Sequence, residues 1–443
     1  MKFVFLITSL ATFSTLLSFN SHALSLQESF NLAQQGDPQI LAAKAEFDAA
    51  AENIPQARSA LLPQLSLDVF SGNSNTETLN AFGVGAYTDG TSDTDNQGYQ
   101  LTLTQSLYNH QYYKQLDQAK ASVARAAAFY SAQQQELLIR VADLYFKVLA
   151  AQDNHRFTIA EEKAVARQLE QTKKRFEVGL IAITDVKEAQ AQFDITAAQE
   201  IAASNQLATS KEALQVIINQ PVDSLSSITD NIPLEVPAPN DIKAWSKTSQ
   251  QNNLAIKAAS YALEAAQAGM NASRSGHYPN LSLKATQSNT EFDSGTSGGD
   301  VEDTTISINL SIPLYSGGLT SSQSRQAGFA LTQAQSNLEL EKRLARQQTR
   351  SAFLGLNAAI ASVKALKQAL ISSQTAVEAT RAGFEVGTRT SVDVLGALRN
   401  QYRSERDYAQ SRYDYLINML KLKQAAGVLD KKDIVTVNQW LNK

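Results

Sequence analysis

From Tyr112 to Phe176 the chain contains neither Pro nor Gly, and its apolar residues return every seven positions. Leu116, Val123, Tyr130, Leu137, Leu144 and Ala151 share one position of the repeat, and Ala127, Val141 and Val148 supply a second. A later stretch carries Leu356, Val363, Leu370, Val377 and Phe384 in the same way, with Phe353 and Ile360 beside them. Sustained heptads with polar outer faces predict helices that pack along their whole length. At 1.5 Å per residue, about 65 residues make a rod of roughly 100 Å, too long to bury in one compact domain. Gly179 and Gly387 are expected to end the two rods, and a helix of about 36 residues returns antiparallel from each turn.

Elsewhere the period is two. Leu65, Leu67 and Val69 alternate with polar neighbours, as do Tyr99, Leu101 and Leu103 with Gln100, Thr102 and Thr104. Ile306, Ile308, Leu310 and Ile312 alternate with Thr305, Ser307, Asn309 and Ser311. These patterns predict strands of about ten residues, enough to cross a bilayer when tilted. A Gly/Asn/Thr/Ser/Asp-rich loop is expected over residues 71–97. An ordinary sheet with one buried face gives the same alternation; the long polar loops and the export signal described below favour a membrane barrel. Asp37 and Pro38 read as N-cap and first helical residue of a helix running to about Leu62, kinked at Pro55.

The landmarks occur twice in the same order. Phe176-Glu177-Val178-Gly179 recurs as Phe384-Glu385-Val386-Gly387, Leu62-Pro63-Gln64-Leu65 as Tyr278-Pro279-Asn280-Leu281, and Leu107-Tyr108 as Leu314-Tyr315. The chain is therefore two copies of one unit. The first repeat spans 24–220, with a strand pair at 63–108, a long helix at 112–176 and its return at 184–219. A Pro-rich linker and equatorial segment covers 221–248. The second repeat spans 249–427, with strands at 280–313, a long helix at 322–384 and its return at 391–427, and residues 428–443 form a C-terminal tail.

Composition narrows the setting. Lys2, the apolar run Phe3–Phe19 and the small residues Ser21 and Ala23 make a secretory signal peptide, residues 1–23, cleaved after Ala23. No later segment is apolar enough to span a membrane as a helix, so a membrane-embedded form requires a β-barrel. The 443 residues include no Cys, which excludes disulfides and thiolate metal sites. With 39 Lys+Arg against 43 Asp+Glu the balance is mildly acidic, which disfavours nucleic acid. His110, His155 and His277 lack metal-site spacing, and no phosphate loop or nucleophile elbow appears, so neither enzyme nor cofactor is expected. Glu161-Glu162 and Lys173-Lys174-Arg175 read as ordinary helix-surface charges.

Four strands cannot close a barrel, and open edges are not tolerated in lipid. Several copies are needed; three would supply twelve strands and a hollow tube of helices, whereas two would leave a narrow eight-strand barrel. Strand closure alone does not fix the number at three; the fold expected is mixed and mainly α, a β-barrel shared by several copies, four strands per chain, continuous with a long coiled-coil α-helical barrel, which the resemblance described next makes a trimeric outer-membrane β-barrel. Asp185 and Asp393 each follow a Gly turn at a helix start, where they serve as caps or, gathered by symmetry, as a charged ring.

Several stretches resemble the TolC family of outer-membrane efflux and secretion channels. Ala57-Arg58-Ser59-Ala60-Leu61-Leu62-Pro63-Gln64-Leu65 is similar to its helix-to-strand junction, and Ser311-Ile312-Pro313-Leu314-Tyr315-Ser316-Gly317-Gly318 to its strand-to-helix junction. Arg175–Val186 and Gly383–Leu395 resemble its two tip turns. The resemblance implies a homotrimer in outer-membrane lipid with a large periplasmic part. It would act as a passive exit duct for small-molecule efflux and/or type I protein secretion. Its partners would be a periplasmic adaptor (membrane-fusion) protein and an inner-membrane efflux pump or ABC secretion transporter. It further implies that Arg389 ties the inner hairpin to Thr184 and Asp185 of a neighbour, and that Asp393 forms an aperture ring selecting ions. Docking would fall on the tips at Gly179, Leu180, Ile181, Gly387 and Thr388. Phe384 and Gly396 depart from the family, which carries a Tyr and a second Asp there. The alternative is a periplasmic coiled-coil adaptor or scaffold without a barrel, which would not need the paired strands.

Overall fold

The computed structural model describes residues 23–441 except 84, 85, 230, 231 and 296. The signal peptide expected at 1–23 thus lies, but for its last residue, outside the described residues. Among the described residues no helix is long and apolar enough to cross a membrane.

Three short helices open the chain: α1 (Leu26–Gly36), α2 (Pro38–Ala51) and α3 (Asn53–Ser59). Asp37 caps α2 by accepting from the Gln39 N–H, with Pro38 in the first helical turn. The helix expected to run to Leu62 with a kink at Pro55 is instead two helices broken at Glu52. Proline has no N–H to give the carbonyl four residues back, so the disturbance falls on the turn before it.

Strands β1 (Gln64–Gly83), β2 (Ala86–Tyr108), β3 (Asn280–Asp293) and β4 (Gly298–Ser311) form one antiparallel sheet in the order β1-β2-β3-β4. The loop expected at 71–97 is mostly strand, and no strand is as short as ten residues. The β2–β3 pairing stops at Asp95 opposite Asp293, while β1–β2 pairing continues to Gly83 opposite Ala86. A two-stranded ribbon therefore extends past the four-stranded sheet. Its Thr/Ser/Asn/Asp composition hid it, because a ribbon without an apolar face shows no alternation. Asn73 and Asn75 donate across it to Asp95 and Asp93, at 2.8 and 2.5 Å.

The rods are α4 (His110–Glu177) and α8 (Leu319–Glu385), 68 and 67 residues long. Each is about 100 Å at 1.5 Å per residue. Helix α5 (Ile183–Ile218) returns along α4, and α9 (Ser391–Ala425) along α8. Leu137, Val141, Val148 and Ala151 of the first heptad set are buried, and so are Phe353, Leu356, Ile360, Val363, Val377 and Phe384 of the second. Helix α7 (Leu254–Arg274) packs between the first halves of the rods.

The main core surrounds the middle of the rods. It gathers Leu137–Leu149 of α4, the end of α5, Phe353–Val363 of α8 and Tyr413–Leu422 of α9 around α1. The Pro-rich segment is a packed belt rather than a linker. Tyr145, fully buried, donates to the Ser226 carbonyl at 2.8 Å, and Tyr415 accepts from the Glu235 N–H at 2.8 Å. Helix α6 (Ile242–Asn252) follows, with Trp245 donating to the Pro239 carbonyl. The tail also folds: α10 (Lys431–Asn438) starts on an Asp430/Asp433 capping box and buries Ile434 and Val437 in the same core.

Candidate functional site: the sheet face and the helix tips

Register assigns each strand residue to a face. Leu67 lies opposite Leu101, Leu103 opposite Ala285, and Leu283 opposite Ile308, so the apolar residues of all four strands share one side. The other side carries Ser66, Thr102, Thr286 and Thr305, which are successive cross-strand partners. Among the described residues nothing covers the apolar side: Val69 is 75% and Ile306 73% exposed. Strands β1 and β4 are both open edges. A soluble chain does not leave such a band wet, nor two long edges unpaired.

At the opposite end of the rods the chain reverses twice. Gly179 and Gly387 adopt φ of 74° and 82°, a left-handed conformation that glycine enters without a Cβ penalty. The carbonyls of the preceding turns are taken up by the Leu180 N–H on Arg175 (2.9 Å) and the Thr388 N–H on Gly383 (2.8 Å). Leu180 is 70% exposed at the first tip, with Val178 beside it, and Val386 is exposed at the second. Ile181 is half-buried rather than exposed, and Thr388 is exposed.

Neither aspartate is itself an N-cap. Ala182 occupies that position for α5 and Thr390 for α9. Asp393 closes a capping box: its Oδ2 accepts from the Thr390 N–H (2.9 Å) and hydroxyl (3.0 Å), and its own N–H donates to Thr390 Oγ1 (3.2 Å). These donors hold its carboxyl below the usual aspartate range. Asp185, in the first turn of α5, accepts no capping hydrogen bond. Among the described residues of one chain, no hydrogen bond or ion pair joins Arg389 to Thr184 or Asp185. Arg389 instead folds over Gly383, where a Cβ would stand 2.8 Å from its Cγ. Gly396 is one turn beyond Asp393 on the same helix face, and a Cβ there would meet nothing within 4 Å.

Several contacts escaped the sequence because their partners lie more than two hundred residues apart. Thr172 Oγ1 and Gln168 Nε2 meet Ser391 Oγ at 2.8 and 3.2 Å, all buried. Glu161 is not a surface charge: it is 1% exposed and pairs with Arg406 at 2.7 Å. Arg175 likewise engages the second tip, its guanidinium 4.2 Å from the Phe384 ring centroid and Nη1 donating to the Phe384 carbonyl at 3.0 Å. Among the described residues no group of three or more His, Asp or Glu is placed to hold a metal ion. His155 pairs with Glu200 at 2.8 Å, and His110 packs against Tyr278.

The chain matches the family model of outer membrane efflux proteins over residues 30–220 and 245–428, which are its two repeats. The chain belongs to the outer membrane efflux protein family. Outer membrane protein TolC of Vibrio cholerae is 40% identical over 95% of this chain and 94% of its own length. Alkaline protease secretion protein AprF of Pseudomonas aeruginosa is 28% identical over 96% of this chain and 89% of its own. The solved CmeC outer membrane channel of Campylobacter jejuni superposes with a TM-score of 0.78 at 16% identity, covering 94% of this chain and 90% of that one, which shows the shared fold. This efflux-family protein is thus an outer-membrane exit duct. The adaptor reading finds no support, since its relatives are outer-membrane proteins and the strands it did not need are present.

Proposed function

We propose that three copies assemble into one passive conduit, with twelve strands closed in the outer membrane and twelve long helical segments continuing as a periplasmic tube. The observation that carries this reading is the four-stranded sheet with an uncovered apolar face and two free edges, joined directly to rods of about 100 Å. Lipid satisfies the face, and only another copy satisfies the edges. A heterologous β1–β4 contact repeated around an axis closes into a ring. Apolar residues left exposed along α8, such as Phe329 and Leu354, fit the same interface.

Such a conduit performs no chemistry; another protein supplies the energy. The tips are the docking surface for a periplasmic adaptor and an inner-membrane efflux pump or ABC secretion transporter. Leu180 and Val178 give apolar contact there, and Gly179, Ile181, Gly387 and Thr388 shape the turns. Asp393 lines the aperture with its second carboxylate oxygen, and Arg389 links neighbouring hairpins through Thr184 and Asp185. The similarity to both a TolC and a protease secretion protein supports a duct that serves small molecules, proteins or both according to its transporter.

Reconstitution of the full chain in planar lipid bilayers tests this reading. Purified protein should give discrete cation-selective current steps from a particle of three chains. A monomer that resides in the periplasmic fraction and leaves bilayers silent would refute it.

A further inference from the structure

We propose that the outer mouth of the barrel carries a binding site for aromatic organic cations, built from Phe70, Phe292 and Val301 together with the carboxylates of Asp68 and Asp303. The proposal rests on the conduit reading above, which turns the polar side of the sheet toward the lumen.

The site begins as a break in phase. Leu65, Leu67 and Val69 of β1 and Ile306, Ile308 and Leu310 of β4 hold one side of the sheet, while Phe70 and Val301 stand on the other. Register brings these two to one level: Phe70 lies opposite Gly98, Gly98 opposite Thr290, and Thr290 opposite Val301. Phe292 stands on the next level of the same side, with Gly72, Asn96 and Gly299. The strands leave the helices at Gln64 and return at Ser311, so both levels lie at the end of the sheet away from the rods. Nearer the rods this side is polar, with Ser66, Thr102, Thr286 and Thr305 on one level and Asp68, Gln100, Ser288 and Asp303 on the next. Val301 is 52% and Phe70 40% exposed, so their own chain does not cover them. Barrel interiors are polar, and apolar side chains gathered on a wet face mark a contact surface.

Shape and charge together define the guest. Glycine stands across from each ring: a Cβ at Gly98 would collide with the Asn289 carbonyl oxygen, and the Phe292 ring lies over Gly299, 3.7 Å from where a Cβ would stand. The missing side chains leave a shallow recess beside each ring that a flat group can enter. Asp68 precedes Phe70 by two residues and Asp303 follows Val301 by two, so each carboxylate lies on the same side, about 7 Å along the strand from its apolar neighbour. Asp303 accepts from the Thr305 hydroxyl at 2.9 Å, and among the described residues no ion pair neutralises either acid. Lys284 is the only Lys or Arg in the four strands, and it stands two levels nearer the rods than these acids. Strands β1 and β4 are the edges that meet in the ring, so both carboxylate–apolar pairs flank every seam. Ring faces and carboxylates both attract a cation, and the carboxylates repel an aromatic anion. A small hydrated metal ion gains nothing from the apolar surface. A guest that unites an aromatic body with a positive charge uses every part of the site.

Recordings from the full chain in planar bilayers, with native gels to count assembled trimers, test the site. Tetraphenylphosphonium added on the extracellular side should block the current saturably. Tetramethylammonium, which lacks the rings, and naphthalene-2-sulfonate, which carries the opposite charge, should block far more weakly. Phe70→Asn/Phe292→Asn should raise the half-block concentration of tetraphenylphosphonium about tenfold. Asp68→Asn/Asp303→Asn should raise it as well and leave the remaining block insensitive to salt. Val301→Thr keeps the branched shape, so it secures an assembled variant, and it should give a smaller rise. Assembled variants that all block like the wild type would place the cation elsewhere and overturn the site, as would equal block by the sulfonate. A wild type that forms no conducting trimer would remove the conduit reading and the site with it; a conducting wild type that ignores tetraphenylphosphonium would remove the site alone.

Discussion

Asp393 bears two demands at once. Its Oδ2 is committed to Thr390, which stabilises the start of α9, and its Oδ1 takes no part in that box. Thr390 depresses the carboxyl pKa, so the capping contribution is complete above the ordinary aspartate value of 3.8 and is lost as pH falls through the lowered one. Cation block of the reconstituted channel should accordingly stay flat from about pH 8 to about pH 5 and fade only in stronger acid. Fading centred near pH 6 would mean that mutual repulsion of three carboxylates outweighs the cap. Gly396, one turn on and facing open space, offers a second test. Gly396→Asp should add a second acidic ring and lower the divalent-cation concentration for half block by about tenfold, since each 1.4 kcal/mol is one decade. An unchanged titration would show that this helix face does not line the aperture. The charged residues also show where sequence stops: Glu161 and Arg175 sit among lysines and glutamates of ordinary helical spacing. Only the partners Arg406 and Phe384, brought close by the second hairpin, set them apart.

Among the elements, the long helices were the most legible, because heptad spacing is set by the seam each helix buries. The equatorial core was much less so. Tyr145 and Tyr415 reach the Pro-rich belt from different helices, and nothing in their local sequence marks those contacts. Burial pushes the Tyr145 phenol well above its ordinary range, so it remains a donor to Ser226 at any pH the chain meets. The short α10, within the stretch read only as a C-terminal tail, is marked in the sequence by Asp430 followed three residues later by Asp433. Strand alternation was legible only where one face is apolar, which is why β1 and β2 were read as half their length. That same alternation yields a direct test. Ile308→Arg near the middle of the lipid-facing band should cost about 2–4 kcal/mol and deplete the membrane-inserted form. Ser307→Arg on the other face should change it by less than about 1 kcal/mol. Equal depletion by both, measured as trimer recovered from outer membranes, would mean that the faces are assigned wrongly.

For the whole molecule, the internal duplication explains the economy of the design. Each repeat supplies a strand pair and a helical hairpin, and tip contacts such as Arg175 with Phe384 lie between the repeats rather than within them. The central claim is that β1 of one copy meets β4 of the next and that three such contacts close the ring. The absence of cysteine permits a direct measurement. Ser66 on β1 and Ser307 on β4 lie on the same face, through the cross-strand partners Thr102, Thr286 and Thr305. The double variant Ser66→Cys/Ser307→Cys, treated in intact outer membranes with a flexible bismaleimide, should give covalent trimers on a denaturing gel. Each single variant should give none. Products that stop at the covalent dimer, or that extend into a ladder beyond the trimer, would contradict a closed ring of three.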